Sequence, residues 1–151
     1  FAPLDTESTV TNTATLSGAG LTTPVQAAST VNARAAAYLT IGKAVSPATV
    51  AENGTLTYTF TIQNYGNTAA AETDNVTVSD TFSPILKAIS VTYNGAAWTE
   101  GTQYTYNAAT GAFATTAGQI TVPAASLTRD AATGAVVVTP GISTLTVTGT
   151  V

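Results

Sequence analysis

Cysteine and histidine are both absent from the 151-residue chain. That removes a Cys/His zinc site, a disulfide framework, a thiol nucleophile and a Ser–His catalytic triad. Charge is nearly as scarce. Only 8% of residues are charged, against about 25% in an average soluble domain. Lys and Arg together number 4 and Asp and Glu number 8, a formal net charge of −4. Nucleic-acid binding needs clustered cations against phosphate, so that class is excluded. Apolar residues are dispersed among threonines, and no stretch approaches the roughly 20 apolar residues of a membrane-spanning helix. The opening Phe1-Ala2-Pro3-Leu4-Asp5 shows neither an initiator Met nor a charged-then-apolar leader. The expectation is a removed signal peptide and an extracellular, cell-surface location. Without cysteine, rigidity in that setting must come from something other than disulfides.

What the chain does have is threonine and valine in alternation. In Leu56-Thr57-Tyr58-Thr59-Phe60-Thr61-Ile62 the even positions are apolar, and Leu145-Thr146-Val147-Thr148-Gly149-Thr150-Val151 reads much the same way. This is the period of a half-buried strand. Further strands are predicted at 38–45, 75–81, 88–93, 103–107, 112–116, 119–122 and 135–139. Glu52-Asn53-Gly54, Asn64-Tyr65-Gly66-Asn67, Asn94-Gly95, Thr110-Gly111 and Thr133-Gly134 supply turns between them. The fold expected is an all-β antiparallel sandwich of about one domain's length. Residues 9–32 stand apart, as two strands or one long irregular one, with Gly18-Ala19-Gly20 in the middle. The chain therefore divides into an amino-terminal segment and connector, 1–37, and a sandwich, 38–151.

Parity assigns side chains to faces, because they alternate along a strand. Lys43 shares parity with Leu39 and Ile41, and Asp80 with Val76 and Val78. Asn12 shares parity with Val10, Ala14 and Leu16, while positions 9, 11, 13 and 15 are all Thr. An amine, a carboxyl and a carboxamide are thus predicted on core-facing sides. Burial without a partner drives such groups toward neutrality. A neutral Lys43 is a nucleophile, a protonated Asp80 is an acid that can pass a proton to departing ammonia, and the product with Asn12 is an isopeptide bond. The plainer reading of each residue stays open at this stage. Lys43 can snorkel out from a strand end, Asp80 can cap a turn, and Asn12 can bond to backbone.

Three stretches carry a resemblance. They are Tyr38-Leu39-Thr40-Ile41-Gly42-Lys43-Ala44-Val45-Ser46-Pro47, then Glu52-Asn53-Gly54-Thr55-Leu56-Thr57-Tyr58-Thr59-Phe60-Thr61-Ile62-Gln63-Asn64-Tyr65-Gly66-Asn67, then Asn75-Val76-Thr77-Val78-Ser79-Asp80-Thr81-Phe82. Together they resemble the start of a domain-of-unknown-function-eleven repeat, an immunoglobulin-like module of prokaryotic surface proteins. The likeness is specific over 38–82 and loose over 83–140. It implies an immunoglobulin-like antiparallel sandwich, and it implies the isopeptide roles known in some members and in related pilin domains. Lys43 looks like the first-strand lysine, Asp80 like the assisting acid and catalytic group of the autocatalytic step. Thr11-Asn12-Thr13-Ala14-Thr15 looks like the acceptor segment, a shorter and less specific match. The order differs from a family member's, because the acceptor segment comes first and 38–151 lacks the closing strands. The fold is expected to be permuted.

A sandwich without closing strands exposes a groove and unpaired edges, which invites strand addition. The start of the first strand and the end of the last are expected at opposite ends, on the order of 30 Å apart. The connector 33–37 spans at most about 18 Å. The segment is therefore expected to enter a neighbour, through Val10, Asn12, Ala14, Leu16, Val25 and Val31 as donor residues. The contact is heterologous and builds an open homopolymer of identical subunits. The leading expectation is a structural subunit of an extracellular filament or pilus built by donor-strand complementation, with a Lys43–Asn12 isopeptide bond as its covalent lock. The alternative is a monomeric cell-surface adhesin or binding module using Trp98, Tyr93, Tyr104 and Tyr106 as an aromatic platform, with hairpin and core packing as the plainer role of those rings. An enzyme on external substrates is the weakest reading. Glu72 and Asp74 share parity but suit a solvated edge as well as a cation, and Gly18-Ala19-Gly20 is too short for a phosphate loop. No cofactor and no metal are expected. Asn53-Gly54-Thr55 and Asn75-Val76-Thr77 fit the N-glycosylation pattern.

Overall fold

The computed structural model describes residues 8–151; the Phe1–Asp5 opening, on which the leader expectation rests, lies outside them. The described residues are all-β apart from one 3-10 turn at Glu72–Asp74. In chain order the strands are β1 (Ser8–Leu16), β2 (Val25–Ala33), β3 (Leu39–Ser46), β4 (Thr55–Asn64), β5 (Ser79–Thr81) and β6 (Lys87–Tyr93). They continue as β7 (Ala96–Trp98), β8 (Tyr104–Asn107), β9 (Ala112–Thr115), β10 (Ser126–Arg129), β11 (Val136–Thr139) and β12 (Gly141–Thr150). Four antiparallel sheets result. A five-stranded sheet has the order β3-β4-β12-β6-β7, a three-stranded sheet the order β5-β9-β8, and β1-β2 and β10-β11 are separate hairpins.

The alternation in the sequence explains the centre of the five-stranded sheet. Along β4 the even residues Leu56, Tyr58, Phe60 and Ile62 are buried, and along β12 so are Leu145 and Val147. The threonines between them pair across strands on the opposite face, where Thr57 and Thr148 share a hydrogen bond of 3.0 Å. β-branched threonine suits this pleated, half-exposed surface. The core lies where the two sheets face each other. Phe82, just past β5, stacks on Tyr58 at 4.8 Å between centroids and meets Phe60 at 6.5 Å and Phe113 at 5.6 Å. Its ring is 1% exposed and central to this cluster. Phe82→Ala is expected to cost about 3–5 kcal/mol of folding stability, read as a lowered midpoint in urea unfolding.

Some strand boundaries differ from the expectation. Of 75–81 only β5 is strand. Asn75 adopts a left-handed conformation (φ 52°) after the 3-10 turn. The Val78 amide then donates to the Thr115 hydroxyl rather than to a backbone carbonyl, so that rung keeps only the bond from the Thr115 amide to the Val78 carbonyl. The stretch 119–122 forms a single bridge, Ala70 to Val122, in place of a strand. β12 starts at Gly141, earlier than the alternating run, and a Cβ at Gly141 would collide with the Pro123 carbonyl. The strands β7 and β10 have no counterpart in the alternating pattern. Residues 9–32 do form two strands.

The body has two distinct ends. Leu39 and Gly141 both pair with Asn64 at one of them. At the other, Thr150 pairs with Thr55, and the Asn53 amide donates to the Val151 carbonyl at 2.9 Å. The chain therefore enters the body at the Asn64 end, and β12 finishes at the opposite, Val151 end.

Candidate functional site

β3 is an edge strand of the five-stranded sheet and β5 an edge strand of the three-stranded one. Between them runs an open apolar groove lined by Leu39, Ile41, Ile62, Val76 and Val78. It continues toward the Asn64 end past Ala35, Ala37, Ala70 and Val76. Inward-facing residues of β3 that a complete two-layered core would cover are open to solvent: Ile41 is 56% exposed and Val45 45%. Leaving that much aliphatic surface in water is unfavourable.

Lys43 sits on the same face as Ile41 and Val45, directly across from Phe60 on β4. Its Nζ lies 4.8 Å from the Tyr58 ring centroid, 5.6 Å from that of Phe60 and 5.7 Å from that of Phe82. It pairs with Asp80 Oδ2, an atom shielded from solvent. Asp80 is aimed inward by its register with Phe113, and its Oδ1 accepts from the Thr81 amide at 2.9 Å. The parity reading of Lys43 and Asp80 therefore meets in one place, with the amine and carboxyl in contact over an aromatic floor. One part of the expectation is corrected. The Lys43 side chain is 42% exposed rather than buried, because nothing in the described chain covers the groove above it.

Asn12 is not brought to that pair. It lies mid-way along β1, exposed, with Ser29 of β2 as its cross-strand partner. β1 and β2 pair only with each other, and every described side chain from Thr9 to Asn32 is exposed. Residues opposite each other in an antiparallel pair share a face. One face of the hairpin therefore carries Val10/Val31, Asn12/Ser29, Ala14/Ala27 and Leu16/Val25. The other carries Thr9/Asn32, Thr11/Thr30, Thr13/Ala28 and Thr15/Gln26. All six donor residues named from the sequence fall on the first face. Ser29 escapes a reading by parity, because parity within one strand says nothing about register between two.

The connector between hairpin and body is fastened to the Asn64 end. Asn64 is fully buried. Its Oδ1 accepts from the Tyr38 and Gly66 amides at 2.9 Å each, and its Nδ2 donates to the Thr68 carbonyl at 2.7 Å. The Ala36 amide donates to Asn67 Oδ1 at 3.0 Å. A Cβ on Gly66 would collide with the Ala36 carbonyl, so only glycine lets the connector lie this close. Asn64 shares the inward parity of Leu56 to Ile62, a signal that could have identified it.

Other candidates resolve into structure. Trp98 stacks on Tyr93 at 4.9 Å, Tyr104 is buried, and the Tyr106 hydroxyl donates to the Leu86 carbonyl at 2.7 Å, so these rings form no exposed platform. Burial, with Glu100 nearby, pushes the Tyr104 phenol above its ordinary value of 10.0. Asp74 accepts from the Ala71 amide at 2.8 Å, and no cluster of three or more metal-ligating side chains occurs among the described residues. Among those residues no helix is long and apolar enough to cross a membrane. Compared with family models, curated proteins and solved structures, the chain matches none.

Proposed function

We propose that the chain is a structural subunit of an extracellular filament, assembled head to tail by donor-strand complementation. The observation that carries this reading is the match between two unpartnered surfaces. The hairpin offers an apolar face interrupted by one polar pair, Asn12/Ser29. The groove offers a largely aliphatic wall, and the Lys43/Asp80 ion pair lies on the same face of β3 as Ile41 and Val45. Strand number agrees as well. A five-stranded layer faces a three-stranded one, and a two-stranded donor beside β5 makes the layers equal. The resemblance to immunoglobulin-like surface repeats, with its acceptor segment displaced to the front, supports the same arrangement and the extracellular setting.

Seating the hairpin excludes water from the groove and brings Asn12 beside Lys43. Lys43 Nζ then attacks the Asn12 carboxamide carbon. The new C–N bond forms, the old one breaks, and ammonia leaves with a proton relayed by Asp80. Each junction loses about 17 Da, the mass of one ammonia. The aromatic floor of Tyr58, Phe60 and Phe82 keeps water from competing.

Electron microscopy of the purified chain, followed by boiling in SDS, tests this. Fibres that yield a ladder of oligomers are the expected result. A chain that stays monomeric at high concentration, with residues 9–32 shielded from protease, would overturn it and favour the monomeric binding module.

A further inference from the structure

We infer that the β10–β11 hairpin is a second docking arm, seated on the opposite end of the neighbouring copy of this chain. The inference rests on the head-to-tail reading above and adds a contact to it.

The arm rises from the same end of the body as the donor hairpin. The Ala125 amide donates to the Gly66 carbonyl at 2.9 Å, and Gly141 packs against Pro123. β11 runs into β12 across Pro140 alone, so the arm prolongs that strand past the Asn64 end. Its two strands pair only with each other. An isolated two-stranded hairpin is marginal in water unless a surface backs it. Its turn is nevertheless well built. Asp130 Oδ1 accepts from the Thr133 and Ala132 amides at 2.7 and 2.9 Å, which holds its carboxyl below the usual value, and Arg129 Nε donates to the Gly134 carbonyl.

Register places Leu127, Val138 and Val136 on one face together with Arg129. Val138 is 41% exposed. A neighbour that receives the donor hairpin must lie beyond this same end, because the connector is short and fastened there. What it presents is its Val151 end. That end carries Ile85, exposed two residues before β6, with Lys87 beside it and Glu52 in the turn before β4. The chemistry is complementary. Three aliphatic side chains meet an exposed isoleucine, Arg129 meets Glu52, and Asp130 meets Lys87. In a chain with only 4 cations, placing one cation and one anion at each of these two surfaces gives the contact an orientation.

Two measurements on fibres test the arm. A benzophenone side chain at Val138 is expected to cross-link to residues 47–54 or 83–87 of another subunit, read by mass spectrometry. Cross-links confined to the same chain overturn the inference. Replacing residues 127–138 with Gly-Gly is expected to leave the SDS-resistant ladder intact while persistence length falls several-fold. Fibres of unchanged stiffness overturn the arm alone and leave strand donation standing. Absence of fibres from the unaltered chain overturns strand donation and the arm with it.

Discussion

Lys43→Ala subunits are expected to form fibres that fall apart completely into monomers in boiling SDS, where unaltered fibres give a ladder. The substitution removes the proposed nucleophile but only one aliphatic stem beside a groove lined mainly by Leu39, Ile41, Ile62, Val76 and Val78. Strand addition draws on backbone pairing and on burial of the hairpin's apolar face, so assembly persists. Covalent joining has no second lysine to use, because the only other one, Lys87, lies exposed at the start of β6, at the Val151 end. Intact mass separates the cases: about 17 Da is missing per junction in the unaltered polymer and none in the variant. A ladder that survives in Lys43→Ala would show that another pair of residues forms the bond. Asp80→Asn complements this test. It keeps the shape of the site and is expected to slow bond formation sharply while fibres still assemble.

Lengthening the connector has the other large expected effect. Ten Gly/Ser residues inserted between Arg34 and Ala35 should convert the polymer into closed monomers. The open inward face of β3 extends from the groove past Ile41 to Val45, and the strand's eight residues span about 26 Å. The native connector reaches at most about 18 Å, and its Ala36 and Tyr38 amides are already held by Asn67 and Asn64. The added residues allow the hairpin to double back. Its effective concentration for its own groove then rises to the millimolar range and outcompetes neighbours at ordinary protein concentration. Size-exclusion chromatography and the loss of one ammonia within a single chain are the readouts. Fibres of undiminished length from the extended chain would show that the connector does not dictate the partner.

The alternating strands are legible in the sequence because one face of each is buried, and the same parity reaches Lys43 and Asp80. A lysine that breaks an apolar face needs a partner, and the three-residue strand β5 supplies it. Asn12 is legible as the odd residue on its face, but where that face goes is a matter of connector length rather than pattern. The features that pattern does not show have local causes. Thr115 competes for the Val78 amide with its side chain, so a run that reads as strand is interrupted. β7 and β10 are only three and four residues long, too short to establish a period. Ser29 requires the register of the hairpin, and the clamp at Asn64 requires the close approach of Gly66 to Ala36.

That clamp has a consequence for polymer shape. A swivelling tether between protomers gives a floppy string of beads, whereas an outgoing peptide held at its Ala36 and Tyr38 amides repeats the same turn at every joint. In the proposed fibre, pitch and handedness would then be written largely in Asn64, Gly66 and Asn67, a handful of atoms far from the chemistry that seals each joint.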